Sequence, residues 1–191
     1  MGRINGKKAA AALTVSMLAF GVTGVAVAQG GLTANLALSG TFFKVSMTHL
    51  EGEDFSLFMD SEDMSGDNIP VARLKFGHAV ASNLCLSATL PDIPAVGEGT
   101  LQLIAKGDGS VEVNDLLVGA SDIKGALNLT DASVGIDASQ VIPSATQGAW
   151  GLYSSKVTLS ADDIKATAVG AKKLSAKGVT VTVKKGRENA C

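Results

Sequence analysis

Proline, aromatic rings and acid–base chemistry are all in short supply in this chain, and each shortage rules something out. Only four prolines occur in 191 residues and no long low-complexity tract parts the chain in two, so one domain with a real core is expected. Lys and Arg number 16 against 18 Asp and Glu, which leaves no basic footprint for nucleic acid. The two histidines, His49 and His78, lie far apart, and with them no zinc site is expected. No G-x-S-x-G supplies the strained nucleophile elbow of an α/β-hydrolase, and no G-x-x-x-x-G-K-[ST] supplies a phosphate loop. "GEGT" (97–100) and "GDGS" (107–110) read as turns. The D-x-[DN]-x-[DN]-G calcium spacing is missing as well. No catalytic residue, metal or cofactor is expected.

What is present begins with an export segment. Arg3, Lys7 and Lys8 precede a charge-free run, Ala9–Ala28, that ends on the small residues Ala26-Val27-Ala28. That order is a secretory signal cut near Gln29. The competing reading is an uncleaved membrane anchor, since the run is long enough to span a bilayer. Residues 1–28 are thus set apart from a single β domain over residues 29–191, secreted or held at the cell surface. The segment removes three bases and no acid, so the mature chain is more acidic than the formal −2 of the whole. Export permits disulfides. Cys85 and Cys191 are the two cysteines, and one bridge is the simple expectation; two separate thiols are the blander one.

The most informative stretch is Val111–Asp137. Val111 and Val113 share one parity. After Asn114-Asp115 the apolar set is Leu116, Val118 and Ala120, on the other parity. After Ser121-Asp122 it returns with Ile123, Leu127 and Leu129, and after Thr130-Asp131 it moves again with Ala132, Val134 and Ile136. Strict alternation is a strand with one apolar face, and a one-residue slip would turn that face to water. Each slip therefore needs a bulge or a reversal. Asp and Asn suit both, because they bond nearby backbone and tolerate left-handed conformations.

The same alternation runs from Val157 through Asp162-Asp163 to Ala168, and resumes after Gly178 with Val179, Val181 and Val183. A helix over Ala161–Lys177, capped by Ser160 with Asp163, competes there, but Thr167, Gly170 and Ser175 spoil its stripe. Leu36–Leu38, Phe43–Met47, Phe55–Met59 and Leu84–Ala88 are strand-like. Leu90–Pro94, with two prolines, reads as a stiff extended break between halves. The fold class is therefore all-β: a curved, mostly antiparallel sheet after an N-terminal signal helix. Lacking a helix to cover its apolar face, such a sheet must fold into a sandwich, close into a barrel, or curl around a ligand as a lipid groove.

The last option carries the leading functional expectation. Beyond the signal the aromatics gather at Phe42, Phe43, Phe55, Phe58 and Phe76, and again at Trp150 and Tyr153, with none from Gly77 to Ala149. Between them lie Val, Leu, Ile and Ala, suited to a thin core or to the wall of an acyl-chain groove. These rings, with Leu127 and Leu129, form the candidate ligand face, the aromatics closing one end. His78 shares parity with Leu74 and Phe76. Glu51–Asp67 holds seven acids and no base, and Lys165–Arg187 seven bases and no acid. Both suit solvated faces; the basic end also suits anionic lipid or wall polymer, and the acidic stretch a neighbour's basic end. Asn128-Leu-Thr is a glycosylation sequon with meaning only in a eukaryotic host.

Several segments together resemble a known family. They are the basic-then-apolar start ending in "AQG", then "ALSGTFFKVS", "FGHAVASNLCLSATLPDIPAVGEGTLQL", the Trp of "GAW", and "VTVTVKKGRENAC". They resemble a family of exported actinobacterial proteins of unknown function, some of whose members bear a cholesterol-esterase label. The likeness covers most of the chain. It is most specific around "NLCLSATLPDIP" and at the terminal Cys, and looser over Val111–Trp150. The family tail has a His-Glu-Cys-like ending where this chain has "ENAC", so only the Cys carries over, to Cys191. The family brings no catalytic residues, and the esterase label finds no nucleophile motif here. The Asp-punctuated alternation is also similar, at the level of fold alone, to long envelope β-proteins that shuttle lipids in a folded-sheet groove.

Three expectations follow. The first is an exported envelope protein that binds or carries a lipid-like hydrophobic molecule, in contact with the membrane surface or a membrane-protein partner. The second is a structural envelope protein that self-associates through sheet edges and charge. The third is a lipid ester hydrolase, which would need a Ser within reach of His49 or His78.

Overall fold

The computed structural model describes residues 34–36, 41–93, 97–143, 145–187 and 190–191. The signal segment, its cut near Gln29 and Pro94 lie outside the described residues. Among the described residues nine strands form one antiparallel sheet. They are β1 (Ala34–Leu36), β2 (Phe43–Met64), β3 (Asp67–Ser82), β4 (Leu84–Ile93), β5 (Gly97–Ala105), β6 (Val111–Asp137), β7 (Trp150–Ala171), β8 (Lys173–Ala176) and β9 (Val179–Lys185). A helix over Ala161–Lys177 does not form, because the alternating apolar face continues through β7 to Ala171 and on into β8.

Strands usually run about five or six residues, yet β2 has 22 and β6 has 27. Their length comes from two long hairpins. Ser65 and Gly66, at φ 61° and 95°, make the two-residue turn whose twist matches its flanking strands. Met64 pairs with Asp67 across it, and the same register reaches Phe43 opposite Ala88. So β3 and β4, parted only at Asn83, act as one partner for β2. Likewise β6 pairs with β7 and then β8, from Asp137 opposite Trp150 to Val111 opposite Ala176.

These hairpins close on each other. β2 pairs with β3, β3 with β6, β6 with β7, and β7 returns to β2. That closed circuit is the barrel outcome. From β4 the sheet continues outward through β5 to β9. Inside the circuit the space is filled. Phe43, Phe55, Leu74, Phe76, Val113 and Val157 are each at most 4% exposed, and the rings of Phe55 and Phe76 lie 4.9 Å apart. Gly52 is needed beneath them, since a Cβ there would fall 2.6 Å from Phe76 Cδ1.

The Asp-marked slips are kinks within one strand, not reversals. Asp115 and Asp131 have φ of 50° and 52°, and Asp54 on β2 has 51°. These residues lie at one level of the sheet. Asp131 faces Ser155, Ser155 faces Asp54, Asp54 faces Gly77, and Gly77 faces Asp115, each in a gap between paired residues. The kinks thus form a belt, and every strand changes phase at the same level, so the apolar faces stay matched on both sides of it. Gly77 belongs to the belt for a steric reason: a Cβ there would lie 3.0 Å from that of Asp54. Asp122 is different. It is not left-handed, and a register shift between Ala120 and Asp122 takes up the slip at Ser121.

Leu90–Ile93 does not divide the chain into halves. It ends β4 and pairs with β5 across a register shift between Leu90 and Ile93. Pro91 cannot donate to a ladder and sits where the ladder is already interrupted.

Candidate functional site

The belt positions a polar depression on the face turned away from the core. One residue from the kinks, Thr130, Lys156, Glu53 and His78 follow one another across four strands; two residues further, Asn128, Thr158, Glu51 and Val80 do the same. Alternation points all of these side chains outward while Gly52, Ala79 and Val157 between them face the core. The resulting hollow has a volume of about 450 Å³.

His78 Nδ1 lies 2.9 Å from Asn114 Oδ1, and His49 Nε2 lies 3.1 Å from Glu51 Oε1. The imidazoles thus meet an amide and a carboxylate, not a serine hydroxyl. At the belt, the Tyr153 hydroxyl donates to Asp54 at 3.2 Å. That hydrogen bond, then burial, then the carboxylate charge raise the Tyr153 pKa above its ordinary value. The hollow therefore offers carboxylates, hydroxyls, an imidazole and one ammonium group. It can hold a hydrogen-bonding molecule, with Val80 and Val157 adding an apolar patch to its lining.

A second polar cluster fastens the tip of the β2–β3 hairpin. Arg73 binds Asp60 at 3.1 Å and Glu62 at 3.3 Å, and the Thr167 hydroxyl on β7 donates to Glu62. Gly119 leaves space for this group, since a Cβ there would lie 2.6 Å from Arg73 Nη1.

The residues expected to form one ligand face are scattered. Phe43, Phe55 and Phe76 are core. Phe58 belongs to a separate small cluster with Ala138 and Ile142. Phe42 is half-buried, with Lys165 Nζ 3.8 Å above its ring. Tyr153 points outward to Asp54. Trp150, 46% exposed, stands where the β6–β7 loop ends, and Leu127, 45% exposed, and half-buried Leu129 lie on the outer half of β6.

Cys85 and Cys191 lie at bonding distance, S–S 2.01 Å. The expected pair is present, and it ties the residues beyond β9 to β4. Along that tail the Thr100 hydroxyl donates to the Gly186 carbonyl at 2.6 Å, and Cys191 N–H donates to Ser87 Oγ at 3.1 Å. At the other end of the sheet, Asp137 caps a 3-10 turn, Ala138–Gln140. Its Oδ1 accepts from the Ser139 hydroxyl and from the backbone N–H groups of Ser139 and Gly148. These bonds lower its pKa below the ordinary carboxylate value.

Sequence reasoning did not locate the open edges. Among the described residues β6 pairs with β3 only as far as Ala120, and beyond it with β7 alone. β9 pairs with β5 alone. Both carry exposed aliphatics: Leu127 and Val134 on β6, and Val179, Val181 and Val183 on β9, between 40% and 64% exposed. The "VTVTV" run was legible as a strand; its lack of a second neighbour was not.

The chain belongs to a family of unknown function, DUF6230, whose model matches residues 39–191. No curated protein and no solved structure matches it.

Proposed function

We propose that the mature chain is an exported cell-envelope protein whose task is assembly. It is a filled β-body, tied by a disulfide, that joins other molecules through open sheet edges. One observation carries this reading: the interior of the circuit is occupied by its own side chains, while, among the described residues, β9 and the half of β6 beyond Ala120 are left unpaired along one side. Export rests on the order of Arg3, Lys7 and Lys8, the apolar run and Ala26-Val27-Ala28. An unpaired strand edge is a template for another strand, and exposed aliphatics beside it favour contact over solvation.

A lipid carrier would need an open apolar wall. Of the rings that would supply it, Phe43, Phe55 and Phe76 pack into the core and Phe58 into a separate cluster, while Phe42, Trp150 and Tyr153 lie apart from one another; the hollow beside the belt sets Val80 and Val157 among carboxylates, hydroxyls and Lys156. Ester hydrolysis would need a nucleophile and base in contact, and His49 and His78 are set against Glu51 and Asn114. Native mass spectrometry of the secreted protein tests the reading. Masses of the bare chain and its multiples are expected as concentration rises; a stoichiometric lipid adduct on every copy would restore the carrier.

A further inference from the structure

Resting on that assembly reading, we infer that the two open edges are each other's partners. β9 of one copy adds as a strand to the outer half of β6 on a second copy, head to tail.

Complementarity carries the inference. Both edges have one unpaired side among the described residues. Both present their aliphatics on the face shared with the core. Val179, Val181 and Val183 lie in register with Ala105, Leu103 and Leu101; Leu127 and Leu129 lie in register with Leu159 and Val157. Joining the edges would continue one apolar row into the other and remove both from water. The charges are opposite. The β9 line carries Lys177 and Lys185, with Arg187 already paired to Glu98, whereas the outer half of β6 carries Asp131 and Asp137, with Asp122 already paired to Lys124. Pairing β9 with β9, or β6 with β6, would gather like charges, which disfavours a symmetric dimer. The lengths also fit. β9 has seven residues, and the run Ile123–Thr130 is free of left-handed kinks, with Asp122 and Asp131 at its two ends. Because two different surfaces meet, the contact is heterologous and builds rings or open chains. Main-chain hydrogen bonds supply affinity, and the apolar rows with the flanking charges set the register.

The test uses Val181→Lys and Leu127→Lys, placed at sites already 58% and 45% exposed. Sedimentation of the wild type is expected to show species larger than a dimer at low salt, dissociating as salt is added. Each variant alone is expected to remain monomeric. Mixed one to one they are expected to give a heterodimer and nothing larger, because each retains the edge the other lacks. Circular dichroism and the intact disulfide confirm folding; should Leu127→Lys misfold, Leu127→Gln takes its place, with weakened assembly expected. A dimer retained by either variant alone would overturn the head-to-tail pairing in favour of like edges. Wild-type assembly untouched by both variants would overturn it while leaving the assembly reading in place. A wild type monomeric at every concentration would remove self-assembly altogether.

Discussion

The two halves of β6 are one strand with one style of sequence, yet they live in different surroundings. Val111–Ala120 lies between β3 on one side and β7–β8 on the other, and Val111, Val113, Leu116 and Ala120 are buried. Among the described residues Ser121–Asp137 has β7 alone, and Leu127 and Val134 stay open to solvent. Alternation determines which face of a strand is apolar. Whether that face is covered depends on how many neighbours the closed circuit supplies, and the circuit supplies two only as far as Ala120. The buried half is architecture, and the exposed half is the surface that the assembly proposal uses.

The largest contrast is expected from the same substitution in each half. Val113→Asp buries an unpaired charge in the circuit and should cost about 5 kcal/mol or more, enough to unfold the chain. Val134→Asp, at a site 64% exposed, should cost no more than about 0.5–1 kcal/mol. Urea unfolding of the two checks this, and similar costs would break the distinction.

Next in size is the bridge. Cys85 and Cys191 are 106 residues apart and enclose both halves of β6. Cys85→Ser should remove about 4–5 kcal/mol in the chain-entropy model, lowering both halves together. Protease resistance and melting temperature report it; loosening confined to the outer half would contradict a common circuit.

The kinks come third. Asp115→Val forces a branched residue into a left-handed conformation between two neighbours and should cost about 1–3 kcal/mol, with Asp115→Gly close to neutral. Asp131→Val, with a single neighbour to hold it, should cost less than half as much in the same unfolding assay.

The smallest effect is one of pH. Asp137 ends the outer half, and its folded pKa lies below its ordinary value of 3.8. Its contribution is therefore complete above that value and is lost as pH falls through the folded pKa. Asp137→Asn should abolish this acid dependence of the Ala138–Gln140 turn, read from backbone amide shifts, while leaving the first half of β6 unchanged. Tyr153 acts in the opposite sense. Its raised pKa favours the folded state below 10.0, and that contribution is lost as pH climbs through the folded pKa.

Much of the fold was legible. The slips at Asp115 and Asp131 are left-handed kinks, as Asp and parity together implied, and strand prevailed over helix in β7. The same test applied to Leu50, Gly52 and Phe55 would have exposed the slip at Asp54 and so the belt. Three things were not legible, for one reason. Leu90–Ile93 as the end of a strand, the burial of Phe43, Phe55 and Phe76, and the bareness of Leu127 all depend on pairings between residues far apart in the chain. Periodicity reports the face of a strand and is silent about its neighbours. The polar hollow escaped for the same cause: Glu53, His78, Thr130 and Lys156 meet only when the circuit closes.

The most direct test is hydrogen–deuterium exchange along β6 at low and high protein concentration. Filled interior and open edge together require slow exchange over Val111–Ala120 at every concentration. They require faster exchange over Ile123–Thr130 in dilute solution, slowing as the protein assembles. Equal protection of both stretches in dilute solution, or an outer half that exchanges fast even in assembled protein, would contradict them.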